Sequence, residues 1–408
     1  MDTAPGSKPS KALVLHGAKD LRLETRITPP PSASSVQIRI LATGLCGSDL
    51  HYYTSGANGS FALRSPMSLG HESIGLITAI GSDVTSLSIN DRVALEVGLP
   101  CQTCALCLSG RYNICPQLRF RSSAKTFPHL DGTLVELMNH PAALCHKLPA
   151  SVGDEAGALL EPLAVCLHAI RRSRPPSAAD VQRSNSTGAE TAALIFGAGA
   201  IGLLLASALA ATTPFTTIVI ADIAAARLEI AASLPFSVVK THLLLTPSSP
   251  QQQQQQPSTP EAQAEAENAT ASALATSLLS TFTLPQGFSH IYDCTGAPSC
   301  IRAAIHASSP GGVITQIGMG SRDPYPRMPL SLAALREVDL IGVFRYDGAA
   351  YPAAVELLGS GRLDDVAGKV VTHRVKGLEE AKRAFEIAGK GRDEEGKTVV
   401  KVVVFNQG

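Results

Sequence analysis

The sequence has no excess of charge of either sign. Among its 408 residues, Lys and Arg number 34 and Asp and Glu also number 34, which gives a formal net charge of zero. Proteins that bind nucleic acid or anionic membranes usually carry a basic patch or run. No basic run interleaved with aromatic residues is present, so we expect no nucleic-acid partner and no membrane partner.

Long apolar runs are also missing. No stretch reaches the roughly 18 apolar residues of a membrane-spanning helix, and residues 1–6 contain no apolar core of the kind found in a secretory signal. We therefore expect a cytoplasmic protein. The nine cysteines are an odd number, and four of them fall within fifteen residues. This pattern favours metal binding and reduced thiols over a disulfide framework.

Length and apolar content indicate two domains. Apolar residues make up 45% of the chain and charged residues 17%, which is enough to bury sizeable cores. A chain of this length exceeds what one hydrophobic core usually serves. The first part is predicted to be β-rich, because short apolar or alternating runs occur at residues 12–15, 36–41, 74–80 and 92–97.

Two short stretches place a mixed set of metal-binding side chains beside glycines. Cys46 lies in Gly44-Leu-Cys-Gly-Ser-Asp49, and His71 and Glu72 lie in Leu69-Gly-His-Glu-Ser-Ile-Gly75. A thiolate, an imidazole and a carboxylate can hold a four-coordinate zinc and leave one position for water or substrate. Asp49 is well placed to bind the second ring nitrogen of a metal-bound histidine. These residues predict a catalytic zinc.

Four cysteines at short spacing predict a second metal. They follow the pattern C-x2-C-x2-C-x7-C at Cys101, Cys104, Cys107 and Cys115. Four thiolates close on one tetrahedral ion and leave no open position, which is typical of a structural zinc. An iron–sulfur cluster is an alternative, because soft four-thiolate sites suit both metals, and so are four unpaired thiols.

A single carboxylate interrupts the apolar stretch 156–170. Glu161 stands there just before Pro162. A buried carboxylate is costly unless it is paired or metal-bound. Alternatively, Glu161 caps a helix that begins at Pro162. The residues leave both interpretations open.

A glycine-rich motif in the second half has the context of a dinucleotide-binding loop. A predicted strand at 191–196 leads into Gly197-Ala-Gly199-Ala-Ile-Gly202, and an apolar helix follows at 203–211. The glycines allow a tight turn and the close approach of a pyrophosphate, which faces the helix N-terminus. Together these elements predict a nucleotide site.

The next strand favours NAD over NADP. Residues 217–221 form that strand, and Asp222 follows twenty residues beyond Gly202, where a carboxylate binds the ribose hydroxyls of NAD. No arginine follows immediately to bind a 2′-phosphate. Arg227 is the nearest, and we expect it to stack near the adenine or to pair at the surface.

Further strands are predicted at 236–239, 289–294, 312–318 and 338–344. Their alternation with helical segments predicts a doubly wound parallel sheet. Residues 245–268 interrupt this pattern with six consecutive glutamines and predict a disordered surface insertion. A second extended loop is predicted at residues 174–188, which are rich in Ser and Pro.

With these motifs the chain resembles the zinc-dependent medium-chain alcohol dehydrogenases, and within them the polyol dehydrogenases of the sorbitol and xylitol group. The resemblance covers about residues 10–405 apart from the two insertions. The motifs that carry it are Cys46-Gly-Ser-Asp-Leu-His-Tyr52, Leu69-Gly-His-Glu72, Gly110-Arg-Tyr-Asn113, Leu160-Glu-Pro-Leu163, Arg336-Glu-Val-Asp339, Gly342-Val-Phe-Arg-Tyr346 and Val371-Thr-His-Arg374.

The resemblance implies a role for each matching residue. Cys46, His71 and Glu72 are then ligands of the catalytic zinc, with Glu161 either a fourth ligand or linked to the metal through water. Ser48 and Tyr52 would face the substrate. Arg345 would hold Glu161 or a substrate hydroxyl, with Tyr346 beside it. The four cysteines would bind the structural zinc. The residues that would hold NAD are Gly197, Gly199, Ile201, Gly202, Asp222, Arg227, Phe344 and Arg345.

The resemblance also implies an architecture and a reaction. A GroES-like, β-rich catalytic domain (residues 1–163 and 344–408) would carry both zinc ions, and a Rossmann domain (164–343) would bind NAD. The implied enzyme, a homotetramer or dimer, converts xylitol to D-xylulose or sorbitol to fructose, as in D-xylulose reductases and L-iditol 2-dehydrogenases. One alternative is a zinc alcohol dehydrogenase for L-arabinitol, butanediol or threonine, and another is a nonenzymatic NAD-binding family member.

Overall fold

The computed structural model describes residues 5–186, 191–244, 259–319 and 326–406. The chain divides into two compact units. Unit 1 comprises Met1–Val165 and Arg345–Gly408, and unit 2 comprises Cys166–Phe344. Within the described ranges, no helix has both the length and the apolar character needed to cross a bilayer.

The strands in chain order are β1 (Lys8–Gly17), β2 (Asp20–Thr28), β3 (Ser35–Gly44), β4 (Ala57–Asn58), β5 (Phe61–Ala62), β6 (Met67–Ser68), β7 (Glu72–Ile80), β8 (Arg92–Leu95), β9 (Gly98–Leu99), β10 (Arg119–Phe120), β11 (Leu137–Pro141), β12 (Cys145–Lys147), β13 (Ala192–Phe196), β14 (Thr217–Asp222), β15 (Val239–Leu243), β16 (Phe288–Asp293), β17 (Ser308–Gln316), β18 (Asp339–Gly342), β19 (Val371–Lys376) and β20 (Lys401–Phe405). The helices are α1 (Gly47–Ser55), α2 (Ala105–Leu108), α3 (Asp154–Ala158), α4 (Leu160–Ser173), α5 (Ala178–Ser186), α6 (Ala200–Thr212), α7 (Ala225–Ala232), α8 (Pro260–Thr281), α9 (Pro298–Ala307), α10 (Leu330–Leu335), α11 (Ala350–Gly359), α12 (Val366–Val370) and α13 (Ala381–Ala388), with 3-10 turns at Tyr112–Ile114, Ala142–Leu144 and Leu378–Glu380.

The main sheet of unit 1 has the strand order β12-β8-β7-β3-β20-β19, and β11 also pairs with β3. Strands β3 and β7 are antiparallel, with Gly44 opposite Glu72. On its other side β3 pairs with β20, where Val403 lies opposite Gly44. The register therefore brings together three segments that are far apart in the sequence, at the end of β3 that leads into Cys46.

Apolar and polar side chains alternate along the first part of β3. The side chains of Val36, Ile38 and Ile40 are fully buried, which is the period of two expected for a strand with one face in the core. Each such side chain contributes roughly 1.5–3 kcal/mol by leaving water. A slip of one residue would turn this apolar set to the opposite face, so the positions of the neighbouring functional residues are specified by the core.

Unit 2 contains a six-stranded sheet in the order β15-β14-β13-β16-β17-β18, and every pairing in it is parallel. The order outward from β13 is the one found in doubly wound dinucleotide-binding domains. All five residues of β13 are buried, as expected for a central parallel strand covered on both faces. The predicted fold class, a β-rich domain plus a doubly wound parallel sheet, is confirmed.

One strand of this sheet lies later in the chain than predicted. The sequence predicted a strand at 236–239, but β15 begins at Val239. The preceding residues form turns instead, because the Phe236 amide donates to the Leu234 carbonyl (2.8 Å) and the Val239 amide donates to the Phe236 carbonyl (3.1 Å).

The predicted disordered insertion was wrong in its last part. Residues 245–258, which include the glutamine run, lie outside the described residues, whereas 260–268 begin α8. Thr259 caps this helix by accepting a hydrogen bond from the Ala262 amide (3.2 Å), and Pro260 occupies the first turn, where its missing N–H costs nothing. The Ala, Glu and Gln residues of this segment are strong helix formers.

The predicted extended loop at 174–188 was also wrong, because α5 occupies Ala178–Ser186. Ser177 and Asp180 cap this helix reciprocally. The Ser177 amide donates to the Asp180 carboxylate (2.8 Å), and the Asp180 amide donates to the Ser177 hydroxyl (3.2 Å). This exchange satisfies two amides that the first turn of a helix otherwise leaves without partners. Residues 187–190 lie outside the described part of the chain.

Candidate active site

Cys46, His71 and Glu72 converge in unit 1. Cys46 caps the N-terminus of α1, His71 directly precedes β7, and Glu72 is its first residue. One ligand atom from each of the three lies within 4.8 Å of the others. His71 is 5% exposed and Glu72 1% exposed. The register of β3 and β7 thus places the three predicted ligands around one point.

This donor set fits zinc. Sulfur, imidazole nitrogen and carboxylate oxygen are the atoms that zinc accepts, and three protein ligands leave a fourth position for water or substrate. The catalytic role of the three side chains stays a prediction.

Asp49 lies behind His71, as the sequence predicted. Asp49 is fully buried, and its Oδ1 lies 3.3 Å from His71 Nδ1. Its carboxylate also accepts hydrogen bonds from the Cys46 amide (3.1 Å) and the Gly70 amide (3.0 Å). A carboxylate beside the second ring nitrogen orients a metal-binding histidine and selects its tautomer.

Ser122 completes this arrangement, and sequence reasoning missed it. Its hydroxyl donates to Asp49 Oδ1 (2.6 Å) and accepts from the Gly70 amide (3.1 Å), so one side chain holds both the carboxylate and the peptide that precedes His71. Ser122 has a left-handed backbone, with φ +58°. A lone Ser-Ser pair in a polar stretch gives no local signal for this role.

Gly70 is required by its backbone and by its surroundings. Its φ is +89°, and a Cβ built on it would lie 2.9 Å from side-chain carbons of both Leu134 and Thr43. Any other residue would be strained here and would displace the adjacent His71.

Lys401 is the second residue that the sequence did not reveal. Its Nζ donates to both oxygens of Glu72, at 2.7 and 2.8 Å, and to the Leu45 carbonyl at 3.0 Å. Lys401 is 4% exposed and begins β20, so the end of the chain supplies the counter-charge of Glu72.

Glu161 lies in the first turn of α4 and is 6% exposed. Burial raises the pKa of Glu161 to about 7, against the opposing charge of His71. In the described part of the chain, two groups of side chains bring their ligand atoms within 4.8 Å of one another, and Glu161 belongs to neither. The role of Glu161, as a direct ligand or as a group linked to the metal through water, stays a prediction.

The predicted substrate-facing residues also belong to unit 1. Ser48 is half-buried in α1, and Tyr52 is fully buried with its oxygen accepting from the Ala124 amide (2.9 Å). The Arg345 guanidinium lies 3.5 Å from the centre of the Phe120 ring. That ring in turn meets the His71 imidazole edge-on, at 5.6 Å between centres.

The four cysteines form a second group in unit 1 whose sulfurs all lie within 4.8 Å of one another. Separations are 3.5 Å for Cys104–Cys107, 3.6 Å for Cys101–Cys115 and 3.8 Å for Cys101–Cys107. A tetrahedral zinc with bonds of about 2.3 Å needs sulfurs about 3.8 Å apart. Hydrogen bonds from Thr103 and Cys104 lower the pKa of the Cys101 thiol to about 6, which favours the thiolate that binds metal. The set fits a structural zinc.

The glycine loop in unit 2 has the form that a pyrophosphate needs. Gly197 has φ +99°, and a Cβ on Gly202 would lie 1.8 Å from the Gly197 carbonyl oxygen, so the turn is too tight for another residue at either position. Nothing among the described residues lies within 4 Å of a Cβ built on Gly199. This open space lies at the N-terminus of α6, where backbone amides favour phosphate.

Asp222 is placed at the end of β14, and its carboxylate also orders the loop. Asp222 Oδ2 accepts from the Ala198 amide (2.6 Å), and Oδ1 accepts from the Ala224 amide (2.7 Å). Ile201 is half-buried in the first turn of α6, and Arg227 is half-buried in α7.

Phe344 and Arg345 belong to different units, Phe344 to unit 2 and Arg345 to unit 1. The roles of both in NAD binding stay predictions, as do those of the glycine loop, Ile201, Asp222 and Arg227.

Comparison with known proteins identifies the family. The family described as alcohol dehydrogenase GroES-like domain matches residues 32–150, and the family described as zinc-binding dehydrogenase matches residues 197–360. The structure of L-idonate 5-dehydrogenase from Escherichia coli is similar in fold, with a TM-score of 0.75, 24% identity, and coverage of 98% of this chain and 99% of that one. The chain therefore belongs to the zinc-dependent medium-chain alcohol dehydrogenase family.

Within that family, the similarity is to the sorbitol and xylitol dehydrogenase group. Human sorbitol dehydrogenase is 36% identical over 95% of each chain, and chicken sorbitol dehydrogenase is 36% identical over 93% of each. A probable D-xylulose reductase A from Emericella nidulans is 34% identical over 93% of this chain and 94% of its own. The predicted family resemblance is confirmed.

Proposed function

We propose that the protein oxidises a secondary hydroxyl of a sugar alcohol to the ketose by hydride transfer to NAD. The substrates we propose are xylitol, giving D-xylulose, and sorbitol, giving fructose. The observation that carries this proposal is the convergence of Cys46, His71 and Glu72, whose ligand atoms lie within 4.8 Å of one another. Together they would hold a zinc and leave one position for water or substrate. The relatives of this chain named sorbitol dehydrogenase and D-xylulose reductase support the substrate class.

When bound at this group, zinc supplies the Lewis-acid chemistry that lowers the pKa of an alcohol hydroxyl. The protein's own residues then manage the proton and the orientation of the polyol. Glu161, with its pKa raised to about 7 by burial, can take up a proton near neutral pH and release it again. In this proposal Ser48 and Tyr52 orient the reacting hydroxyl. The Tyr52 oxygen already accepts a backbone hydrogen bond, and its O–H remains to donate to the substrate.

Arg345 supports binding of a polyhydroxylated substrate. Its guanidinium has several donors in a fixed plane, and stacking on Phe120 limits its freedom. We propose that Arg345 donates to a hydroxyl beyond the reacting carbon or to Glu161. The first of these roles favours a polyol over a simple alcohol, which offers no second hydroxyl.

The cofactor is NAD in this proposal. Asp222 ends β14 with its Oδ2 bound to the Ala198 amide of the glycine loop. A negative charge at this position accepts from ribose hydroxyls and repels a 2′-phosphate. Cys101, Cys104, Cys107 and Cys115 would hold a second zinc, and their four thiolates would leave it no open position for substrate.

Initial-rate NAD reduction tests the function. Purified protein with its zinc content measured is assayed with xylitol, sorbitol, L-arabinitol, 2,3-butanediol and threonine. We expect two zinc ions per chain and the highest kcat/KM with xylitol or sorbitol. A preference for butanediol or threonine would replace the polyol assignment with another zinc alcohol dehydrogenase. No turnover together with one zinc per chain would indicate a nonenzymatic NAD-binding protein.

We also propose a cytoplasmic homo-oligomer, a dimer or a tetramer. Exposed leucines support an interface at the β18 edge of the unit 2 sheet. Leu330 and Leu335 of α10 and Leu340 of β18 are 59%, 86% and 47% exposed. Light scattering coupled to size-exclusion chromatography tests the assembly, and a monomer at micromolar concentration would contradict it. Cell fractionation tests the location.

A further inference from the structure

The loop that carries the four cysteines also carries a buried tyrosine. Tyr112 lies between Cys107 and Cys115 and begins a 3-10 turn. The loop is closed by backbone hydrogen bonds from Gly110 to Cys107 (3.0 Å) and from Cys115 to Tyr112 (2.9 Å). The position of Tyr112 is therefore set by the two metal-binding residues that flank it.

This loop contacts the chain just after Arg345. The Gly348 amide donates to the Gly110 carbonyl (3.2 Å). A Cβ built on Gly348 would lie 3.7 Å from atoms of the Tyr112 ring, so the ring packs directly against this glycine. Both contacts lie within unit 1.

Beneath these contacts, Glu96 joins two side chains from different parts of unit 1. Glu96 is 3% exposed. It accepts a short hydrogen bond from the Tyr112 hydroxyl through Oε1, and its Oε2 lies 2.6 Å from His146 Nε2. A buried carboxylate with fixed partners on both oxygens holds those partners rigidly, because losing either leaves a costly buried charge.

His146 extends the cluster to the segment that contains Arg345. Its ring centre lies 5.1 Å from that of Tyr351, and the Tyr351 hydroxyl donates to the Leu95 carbonyl (2.7 Å). The rings of Tyr351 and Tyr346 lie 5.0 Å apart. Packed aromatic pairs of this kind contribute about 0.5–1.5 kcal/mol beyond the area they bury.

The segment from Arg345 to Tyr351 thus spans from the predicted catalytic ligands to the cysteine loop. At one end Arg345 has φ +55° and stacks on Phe120, which meets His71. At the other end Gly348 and Tyr351 rest on Tyr112, Gly110 and the Glu96 cluster. A non-glycine residue with a left-handed backbone costs energy and persists only where its surroundings hold it in place.

We infer that Tyr112 is a positioning residue for polyol binding: through Tyr112 and Gly110, the four-cysteine metal loop fixes the Arg345–Tyr351 segment and thereby places the Arg345 guanidinium. This rests on the proposed function, in which Arg345 binds a hydroxyl of the polyol. The second metal then contributes to recognition of the substrate as well as to stability.

Tyr112→Phe tests this role by removing the hydroxyl that binds Glu96. Two readouts are needed, namely the KM and kcat for the polyol and the amide hydrogen exchange of residues 345–351. We expect KM for the polyol to rise on the order of tenfold with a small change in kcat, because a misplaced contact weakens binding steeply. KM for NAD should stay within twofold. Exchange in 345–351 should become faster.

Tyr292→Phe is the matched control. Tyr292 is a fully buried tyrosine of unit 2 whose hydroxyl lies 2.7 Å from that of Ser173, so its loss removes a comparable hydrogen bond outside the cluster. This variant should leave the KM for polyol and the exchange of 345–351 unchanged. The same shifts in both variants would mean that general loosening causes them, and would overturn the inference.

Cys115→Ser provides the second test, through the metal loop itself. We expect one zinc per chain instead of two, faster exchange in 345–351 and a raised KM for polyol.

Unchanged exchange in 345–351 for Tyr112→Phe would overturn the inference, whatever the activity. If the wild type turned over no polyol, the proposed function would fail, and the exchange comparison would still decide whether Tyr112 holds the segment.

Discussion

Lys401 Nζ lies 2.7 and 2.8 Å from the two carboxylate oxygens of Glu72, and both side chains are buried. Glu72, the first residue of β7, is thus paired with Lys401, the first residue of β20, 329 positions away. A buried carboxylate is stable only with a partner. Glu72 has Lys401 as a partner in addition to any metal, so β20 contributes directly to the predicted metal site.

Replacing Lys401 with methionine should make folding depend on zinc. Without Lys401, the Glu72 charge is buried and uncompensated in the metal-free protein, which typically costs about 3–5 kcal/mol. Zinc then takes over this neutralisation, so added zinc should raise the Tm of Lys401→Met more than that of the wild type. The measurement is thermal and denaturant unfolding of chelator-treated and zinc-loaded protein.

The control for this prediction is Lys397→Met, since Lys397 is exposed and lies in the turn before β20. It should behave like the wild type in both states. Equal stability of metal-free Lys401→Met and metal-free wild type, within about 0.5 kcal/mol, would show that the Lys401–Glu72 pair does not stabilise the fold.

Replacing Ser122 with alanine should weaken zinc binding at the catalytic site. The variant leaves Asp49 Oδ1 without its 2.6 Å donor, so the carboxylate holds His71 less firmly. Loss of a group that orients a metal ligand typically costs 10–100-fold in affinity or activity. Competition with a chromophoric chelator measures the zinc affinity directly.

Ser123→Ala is the neighbouring control, because Ser123 is also buried and its hydroxyl accepts from the Lys125 amide (3.4 Å) instead of binding Asp49. If Ser122→Ala and Ser123→Ala released zinc at the same chelator concentration as the wild type, the positioning role of Ser122 would be refuted.

Replacing Asp222 with alanine should weaken NAD binding by about 10–100-fold, since hydrogen bonds to a charged group typically contribute about 1.5–3 kcal/mol. NADP binding should change less, because the loss of negative charge also removes repulsion of the 2′-phosphate. The KM values for both cofactors measure this. Asp339→Ala removes an exposed carboxylate of the same unit as a control, and an unaltered KM for NAD in Asp222→Ala would exclude Asp222 from the cofactor site.

The site features that could be predicted from the sequence are local ones. The four cysteines lie within fifteen residues, and the glycine loop has its strand and helix on either side, so spacing alone indicates the chemistry. Cys46 and His71 are recognisable because each has its own short motif. These features depend on neighbours along the chain.

The features that escaped prediction depend on tertiary structure. Ser122 reaches Asp49 across 73 positions, and Lys401 reaches Glu72 through the pairing of β20 with β3. Neither residue has a local pattern that separates it from an ordinary serine or lysine. The start of α8 is different, because Thr259-Pro260 followed by Ala, Glu and Gln is a helix N-terminus signal, which the adjacent glutamine run obscured.

The most direct test of the account is xylitol and sorbitol oxidation by Cys46→Ser, measured together with zinc content. The account predicts a folded protein with one zinc per chain, held at the four cysteines. Its NAD reduction should fall below about 1% of the wild-type rate, on the order of the hundredfold losses seen when a principal catalytic group is removed. Wild-type turnover by a Cys46→Ser protein that holds one zinc would contradict it, because the open metal site would then not be the site of reaction.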